Sequence, residues 1–154
     1  MTSISLAQAS TVVDAALAAG RKAGLMPLTV AVLDAGGHLV ALKREDKSGI
    51  LRVEIATGKA YGALGMGASS RLLRDRLTNR PTFVTGVAAV SHGGFIPVPG
   101  GVLIRDKAGD IIGAVGISGD ASDRDEYCAI EGVKAAGLTA DPAEPNPDWP
   151  NAPL

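Results

Sequence analysis

The sequence predicts an α/β protein of the α+β type, in which helices cover a single antiparallel sheet of about four to five strands. Two pairs of short apolar segments, each pair joined by turn residues, indicate two β-hairpins. Segments with apolar residues at helical spacing precede, separate and follow these hairpins. Since a sheet made of two hairpins leaves apolar faces exposed, we expect the helices to pack on it.

The first helix is predicted to begin just after Ser5. Ser5 and Gln8 have the spacing of a capping box, in which each side chain binds a free backbone amide near the other residue. Apolar and small residues then recur at helical spacing from Leu6 to Gly20, and Gly24 is a suitable stop. The small residues on this face favour close packing against a sheet.

Each predicted hairpin consists of two apolar strands around a glycine-containing turn. The turns are residues 34–37 (Asp-Ala-Gly-Gly) and residues 106–110 (Asp-Lys-Ala-Gly-Asp). The strands are Leu28–Leu33 and His38–Lys43 in the first hairpin, and Val102–Arg105 and Ile111–Ile117 in the second.

Three further helices are predicted. The first spans Gly49–Leu64, with Ser48 as its cap. The second spans Ser69–Asn79, with Leu72, Leu73 and Leu77 facing inward, and Pro81 ends it. The last begins within residues 119–126 and ends near Ala136. Residues 58–67 are unusually rich in glycine for a helix. Because each glycine costs a helix about 1 kcal/mol relative to alanine, we expect the backbone here to contact a neighbouring element or another subunit.

The predicted domain comprises residues 1–138, and residues 139–154 form a proline-rich C-terminal tail. The tail has no periodicity, so we expect it to be extended and polyproline-like. Trp149, the only tryptophan, could anchor the tail on its own chain or on a partner, and a free tail is an equal alternative.

Composition argues against several classes of function. Lys and Arg number 15 against 16 Asp and Glu, and aromatic residues make up 3%, so the chain lacks the basic surface and stacking side chains of a nucleic-acid-binding protein. The single cysteine, Cys128, excludes an internal disulfide. No segment resembles a signal peptide or a membrane span, so we expect no membrane partner and a cytoplasmic location.

Residues 93–101 (GGFIPVPGG) form the most informative loop of the sequence. Double glycines and prolines stop any helix or central strand, and such an apolar loop beside a hairpin lets a ligand or another backbone approach closely. A tight structural turn without a ligand explains the same residues about equally well. The candidate ligand contacts in this loop are Gly93, Gly94, Phe95, Pro97, Gly100 and Gly101.

Both histidines are candidates for binding a metal ion or haem iron, or for transferring protons near neutral pH. His38 and His92 each adjoin a double glycine, although a lone histidine is more often structural. Lys59 lies in a small, apolar segment. If the Lys59 side chain is partly buried, either its pKa would be lowered or its charge would hold an anionic group. The alternative interpretation is that Lys59 is a solvated lysine on the surface.

Three charged residues complete the candidate set. Arg44 could hold an anionic group, although a solvated loop is the simpler interpretation. Asp125 and Glu126 could act as a pair of general bases, although capping of a helix start explains them more simply.

Three segments have a combination of residues that is typical of one known family. They are residues 34–46 (DAGGHLVALKRED), residues 55–63 (IATGKAYGA) and residues 93–129 (from GGFIPVPGG to DEYCA). Together they resemble the GlcG/HbpS-like haem-binding family, which also forms the C-terminal domain of some cobalamin adenosyltransferases, and the likeness covers about residues 4–138. The family often has Arg-Met-Asp-Gly where this chain has residues 44–47 (Arg-Glu-Asp-Lys), and often a Thr where it has Tyr61.

The resemblance implies one antiparallel sheet flanked by helices, and a homo-oligomer that is commonly dimer-based and reaches an octamer. Family members are described as binding haem, and some as degrading it or sensing redox state and iron. The first functional hypothesis is therefore a haem- or tetrapyrrole-binding protein in which His92 or His38 meets the iron, with Lys59 or Arg44 near the propionates.

Two alternatives remain open. One is a small cofactor-free enzyme of lyase, isomerase or hydratase type, acting on a catabolite with a carbonyl or carboxylate group, with Lys59, His92 and Glu126 as catalytic candidates. The other is an oligomeric or partner-binding module whose glycine-rich faces form the interface.

Overall fold

A computed structural model describes residues 2–154, which form five α-helices, one 3-10 helix and one five-stranded sheet. The helices are α1 (Leu6–Lys22), α2 (Arg52–Met66), α3 (Ser70–Leu77), α4 (Pro81–Val90) and α5 (Ser122–Ala135). The strands are β1 (Thr29–Asp34), β2 (Leu39–Arg44), β3 (Gly101–Arg105), β4 (Ile111–Ser118) and β5 (Thr139–Asp141), and the 3-10 helix is Trp149–Asn151. The predicted α+β class is confirmed.

The sheet has the order β2-β1-β4-β3-β5, and all neighbouring strands are antiparallel. Both predicted hairpins are confirmed, as β1 pairs with β2 and β3 pairs with β4. An aspartate closes each turn: Asp34 Oδ1 accepts hydrogen bonds from two backbone amides of the first turn, and Asp106 Oδ1 does the same in the second. The β1–β4 pair joins the hairpins into one sheet.

Helices cover both faces of the sheet. On one face α1 and α5 pack against valine and isoleucine side chains of the strands. On the other face α2 packs against the sheet through small residues, among them Ala60 and Ala63. The capping box predicted for α1 is present, since Ser5 Oγ accepts from Gln8 N and Gln8 Oε1 accepts from Ser5 N.

Two predictions about the helices of the middle region are wrong. Ser48 does not cap α2, which begins at Arg52, because the Ser48 hydroxyl lies 2.8 Å from the Thr29 hydroxyl in a buried hydrogen bond. Leu72 does not face inward but is 40% exposed, because the buried face of the short α3 is formed by Ser70, Leu73 and Leu77, at spacings of three and four residues.

Two further segments differ from expectation. Pro81 is the first residue of α4, a helix that the sequence did not predict, because the missing N–H of proline is not needed in a first turn. The first residues of the predicted tail form β5, which pairs with β3. Of the alternatives for Trp149, the structure shows an anchor on its own chain, where the Trp149 ring stacks on Tyr127.

Within residues 2–154, no helix has both the length and the apolar character needed to cross a bilayer.

Candidate functional site

Two adjoining clefts lie along the exposed side of α2, with volumes of about 420 Å³ and 260 Å³. Glu54, Thr57 and Tyr61 of α2 border the larger cleft, and residues 91–94, which follow α4, close it. The smaller cleft lies between α2 and α4 and reaches Phe95. Because Tyr61, Ser91 and Gly94 border both clefts, they form one groove, which we call the α2 groove. Its lining consists of residues 91–95, Val87 and Val90, and of Val53, Glu54, Thr57, Gly58, Tyr61, Gly62, Gly65 and Met66 of α2.

The local backbone explains why His92 lies at this groove. After α4 the chain turns sharply, with His92 at a φ of 54° and Gly93 at a φ of 81°. A Cβ at Gly94 would lie 3.1 Å from the Ser91 carbonyl oxygen and 3.2 Å from the Tyr61 ring. The double glycine therefore lets the chain reverse direction and keeps the space beside Tyr61 open.

The floor of the groove is formed by close packing of the loop on α2. A Cβ at Gly58 would lie 2.8 Å from Ile96 Cγ1, and a Cβ at Gly62 would lie 2.8 Å from Phe95 Cδ1. The expected contact of the glycine-rich part of α2 with a neighbouring element is confirmed, and that element belongs to the same chain. Phe95 is buried in this contact.

His38 and Arg44 lie away from the α2 groove. The His38 side chain is 81% exposed on the first hairpin turn, and its Nδ1 lies 3.3 Å from Asp34 Oδ1. Arg44 borders a separate cleft of about 490 Å³ beside Arg21 and Lys43, and its Nη1 donates to the Ser48 carbonyl oxygen at 2.7 Å. The structure thus brings His92, Gly93, Gly94 and Phe95 together at the groove, without His38 or Arg44.

Lys59 faces the opposite side of α2 from the groove and is 2% exposed. Its Nζ donates to the Ile117 carbonyl oxygen at 2.9 Å and to Asp125 Oδ2 at 3.2 Å. Burial lowers the pKa of Lys59, although the charge of Asp125 opposes this change. Of the two alternatives for Lys59, a buried and a solvated lysine, the structure shows the buried one.

The second double glycine of the loop serves this buried region. A Cβ at Gly100 would lie 2.9 Å from Lys59 Nζ, and a Cβ at Gly101 would overlap the Lys59 carbonyl oxygen. Gly100 and Gly101 therefore allow the approach of their own chain's backbone. Pro97, between the two double glycines, is half-buried and lies outside the groove lining.

Asp125 and Glu126 point inward instead of only capping a helix start. Asp125 Oδ1 accepts from the Asp120 amide at 3.0 Å, and burial raises the pKa of Asp125 to about 6. Glu126 is fully buried, with Arg71 Nε 3.3 Å from its Oε2, and burial raises its pKa to about 7. Neither carboxylate oxygen of Glu126 makes a hydrogen bond within the described part of the chain.

The candidate catalytic residues are therefore not assembled into one site. His92 lies at the groove, whereas Lys59 is buried on the other side of α2 and Glu126 is buried on α5, and neither of them lines the groove. Over the described residues 2–154, no group of three or more His, Cys, Asp or Glu side chains is arranged to hold a metal ion.

Sequence reasoning missed the contribution of α2 to the groove. Glu54, Thr57, Gly58 and Tyr61 all line the groove and recur at spacings of three and four residues. Such a spacing places residues on one helix face, so this pattern was the available signal. It was obscured because the same helix also carries small residues on its buried face.

Comparisons with known proteins agree with this architecture. Residues 4–134 match the model of the family described as "Haem degrading protein HbpS-like". A comparison with curated proteins finds no match.

Solved structures with the same fold include a double mutant of Streptomyces reticuli HbpS, which is 28% identical, with a TM-score of 0.75 over 87% of this chain and 87% of that one. PduOC in a complex with haem is 23% identical, with a TM-score of 0.79 over 89% and 97% of the two chains. Klebsiella pneumoniae protein ORFY is 21% identical, with a TM-score of 0.79 over 89% and 92%. The last two likenesses show the fold alone. Because the family model matches residues 4–134, which are most of this chain, the chain belongs to the HbpS-like family.

Proposed function

We propose that this protein binds haem in the α2 groove, with His92 as the ligand of the iron. The position of His92 carries the proposal, because it places an exposed imidazole at the edge of a largely apolar groove. The double glycine after His92 leaves open space beside the imidazole, where a flat ligand can approach. The description of the family as haem-degrading and the haem complex of the similar PduOC structure support this choice of ligand.

The side chains of the groove fit the macrocycle of haem. Tyr61, Met66, Val87, Val90 and Phe95 provide apolar surface, and Val90 is 79% exposed. The two clefts fall near or within the range of roughly 300–1,000 Å³ that is usual for sites of small ligands. Burial of this exposed apolar surface by a flat ligand would be the main source of affinity.

The propionates of haem would project into solvent. Among the described residues, no Lys or Arg lines the α2 groove, and its charged residue is Glu54. Lys59 and Arg44, which the sequence suggested as propionate partners, lie elsewhere. Bound haem supplies an iron centre that exchanges ligands and electrons, which fits a role in haem or iron handling or in redox sensing.

Titration with hemin tests the proposal. We expect saturable binding with a shift of the Soret band, and we expect His92→Ala to weaken binding about tenfold or more and to change the band. Thr57→Trp, which fills the larger cleft but keeps the His92 imidazole, should weaken binding as well. Absorbance titrations with equal protein concentrations measure all three.

His38→Ala is the matched control, since it removes the other histidine at an exposed turn away from the groove. It should leave both the affinity and the band unchanged. Unaltered binding by His92→Ala, or loss of binding by His38→Ala, would contradict the proposed site.

The enzyme alternative has less support, because Lys59 and Glu126 are buried away from the groove.

We also infer that the protein forms a homo-oligomer. None of the ten residues of α4 is buried, and Phe83 and Val90 of this helix are exposed apolar side chains that a second copy could cover. Light scattering of the purified protein would measure the mass of the assembly and hence the number of subunits. The cytoplasmic location stays a prediction.

A further inference from the structure

The C-terminal segment crosses the outer side of α5 and is held there by few contacts. We call residues 142–154 the strap. The rings of Trp149 and Tyr127 are stacked, with centroids 3.8 Å apart and an angle of 5° between their planes. The polar contacts are Asn146 Nδ2 to Asp123 Oδ2 (3.1 Å), Arg124 Nη2 to the Pro150 carbonyl oxygen (3.0 Å), Arg71 Nη2 to the Glu144 carbonyl oxygen (3.0 Å) and Lys134 Nζ to Glu144 Oε1 (3.5 Å).

The strap has the properties of a segment that opens locally. All of its residues are described, and none of them is buried. Segments with few buried apolar contacts belong to the least stable parts of a folded protein. The strap also lies beyond residues 4–134, the part of the chain that matches the family model.

Glu126 of α5 lies between α5 and α3, next to Arg71. The strap contacts both of these helices on their outer side. The strap contacts α5 through Asp123 and Tyr127, and it contacts α3 through Arg71. Glu126 is completely buried, and both of its carboxylate oxygens lack hydrogen bonds in the described chain, as does Asp123 Oδ1. An ionised carboxylate without donors is unfavourable in such a position.

Arg71 links the strap to this buried acid. Its Nε lies 3.3 Å from Glu126 Oε2, within ion-pair distance but without a hydrogen bond, while its Nη2 donates to the strap at Glu144. A paired hydrogen bond to an ionised Glu126 would use Nε and Nη2 of Arg71, and Nη2 is the nitrogen that donates to the Glu144 carbonyl oxygen. The strap and Glu126 therefore share one edge of the same guanidinium, and a shift of Arg71 toward Glu126 disturbs its contact with the strap.

The other charges near Glu126 do not cancel the effect of its burial. The charged groups that face it are Arg71, Arg74 and Asp75 of α3, Asp123 of α5, and Lys59 of α2. Burial has the largest influence on the pKa of Glu126 and raises it. The charges of Arg71 and Arg74 lower this pKa, whereas the charges of Asp123 and Asp75 raise it further. The result is a pKa of about 7 for Glu126.

We propose that the strap is a releasable cover whose docking is coupled through Arg71 to the proton on Glu126. The strap lies on α3 and α5 while Glu126 is neutral. When Glu126 ionises, release of the strap admits water to the carboxylate and frees Arg71 to pair with it. By linkage, if release returns the pKa of Glu126 toward its ordinary value, the ratio of released to docked strap rises with pH, by at most about tenfold per pH unit.

Fluorescence of Trp149 tests this coupling directly, because it is the only tryptophan of the chain. In the ligand-free wild-type protein, we expect the quenching constant for acrylamide to increase about twofold or more between pH 6 and 8.5, and to level off above the Glu126 pKa of about 7. In Glu126→Gln, which keeps the size of the side chain but cannot ionise, quenching should stay low at both pH values.

Glu144→Gln is the matched control, because it removes an exposed charge of the strap but keeps the carbonyl oxygen that Arg71 contacts. It should retain the transition, as should a variant with both His38→Ala and His92→Ala. Circular dichroism at each pH excludes global unfolding as the cause.

A flat pH profile in the wild type, or the same transition in a folded Glu126→Gln variant, would overturn the proposal. If Glu126→Gln does not fold, hydrogen exchange of the wild-type protein decides. Amides of residues 142–154, corrected for intrinsic rates, must then exchange faster at pH 8.5 than at pH 6, and equal protection would refute the coupling.

Discussion

Replacing Gly116 with alanine is expected to lower the free energy of unfolding by about 3 kcal/mol or more. A Cβ at Gly116 would overlap the carbonyl oxygen of Ala56 and lie 3.0 Å from the amide nitrogen of Ala60. Both neighbours are backbone atoms of α2, so no side-chain rotation relieves the overlap. The helix must move away from the sheet, which opens its packing against β4.

Urea denaturation of the purified variant measures this loss. Gly86→Ala is the control, because Gly86 lies in the exposed α4 and a Cβ there meets no atom within 4 Å. The control should gain up to about 1 kcal/mol from the higher helix propensity of alanine. If Gly116→Ala were as stable as the wild-type protein, the close packing of α2 on β4 would be incorrect.

The elements that local chemistry specifies were predictable from the sequence. Residues 34–37 and 106–110 pair an aspartate with glycines, and the aspartate side chain itself closes each turn. The capping box of Ser5 and Gln8 depends on residues three apart, so its signal is also complete in the sequence. Such features need no information about distant parts of the chain.

Elements that depend on distant contacts were harder to predict. Helix α4 lacks a polar face and contains Gly86, so it has no amphipathic pattern. Strand β5 has only three residues and exists because the edge of β3 is available for pairing. Ser48 resembles a helix cap, but its tertiary hydrogen bond to Thr29 is formed instead.

The site was predicted in part for the same reason. The loop of residues 93–101 was recognised as a place of close approach, and the structure divides it between two purposes. Gly93 and Gly94 open the α2 groove, whereas Gly100 and Gly101 accommodate the backbone of Lys59 and its neighbours. The partner of Lys59 lies 66 positions away, at Asp125, and no local pattern indicates that pairing.

Replacing Lys59 with methionine is expected to lower the free energy of unfolding by about 3 kcal/mol or more at pH 8. Methionine preserves much of the volume but leaves Asp125 buried without its counter-charge and the Ile117 carbonyl oxygen without its donor. Lys43→Met is the control. The Lys43 side chain is 61% exposed in its ion pair with Asp14, and its loss should cost below about 1 kcal/mol.

The loss in Lys59→Met should depend on pH in a defined direction. Burial raises the pKa of Asp125 to about 6 even with Lys59 present, and removal of this cation raises it further. Because the folded variant then binds more protons than the unfolded chain, its stability falls as the pH rises from about 4 through the raised pKa. The difference from the wild-type protein should therefore be smaller at pH 5 than at pH 8.

Adding Asp125→Asn to the Lys59→Met variant separates charge from packing. Asparagine cannot ionise, but its side-chain oxygen can still accept from the Asp120 amide, as Asp125 Oδ1 does. We therefore expect the double variant to recover part of the stability lost at pH 8 and to lose the added pH dependence. Denaturant titrations of the wild-type protein, Lys59→Met, the double variant and the Lys43→Met control at pH 5 and pH 8 provide the comparison. A loss in Lys59→Met that is equal at pH 5 and pH 8 would mean that Lys59 contributes through packing and its bond to Ile117, and not through its charge.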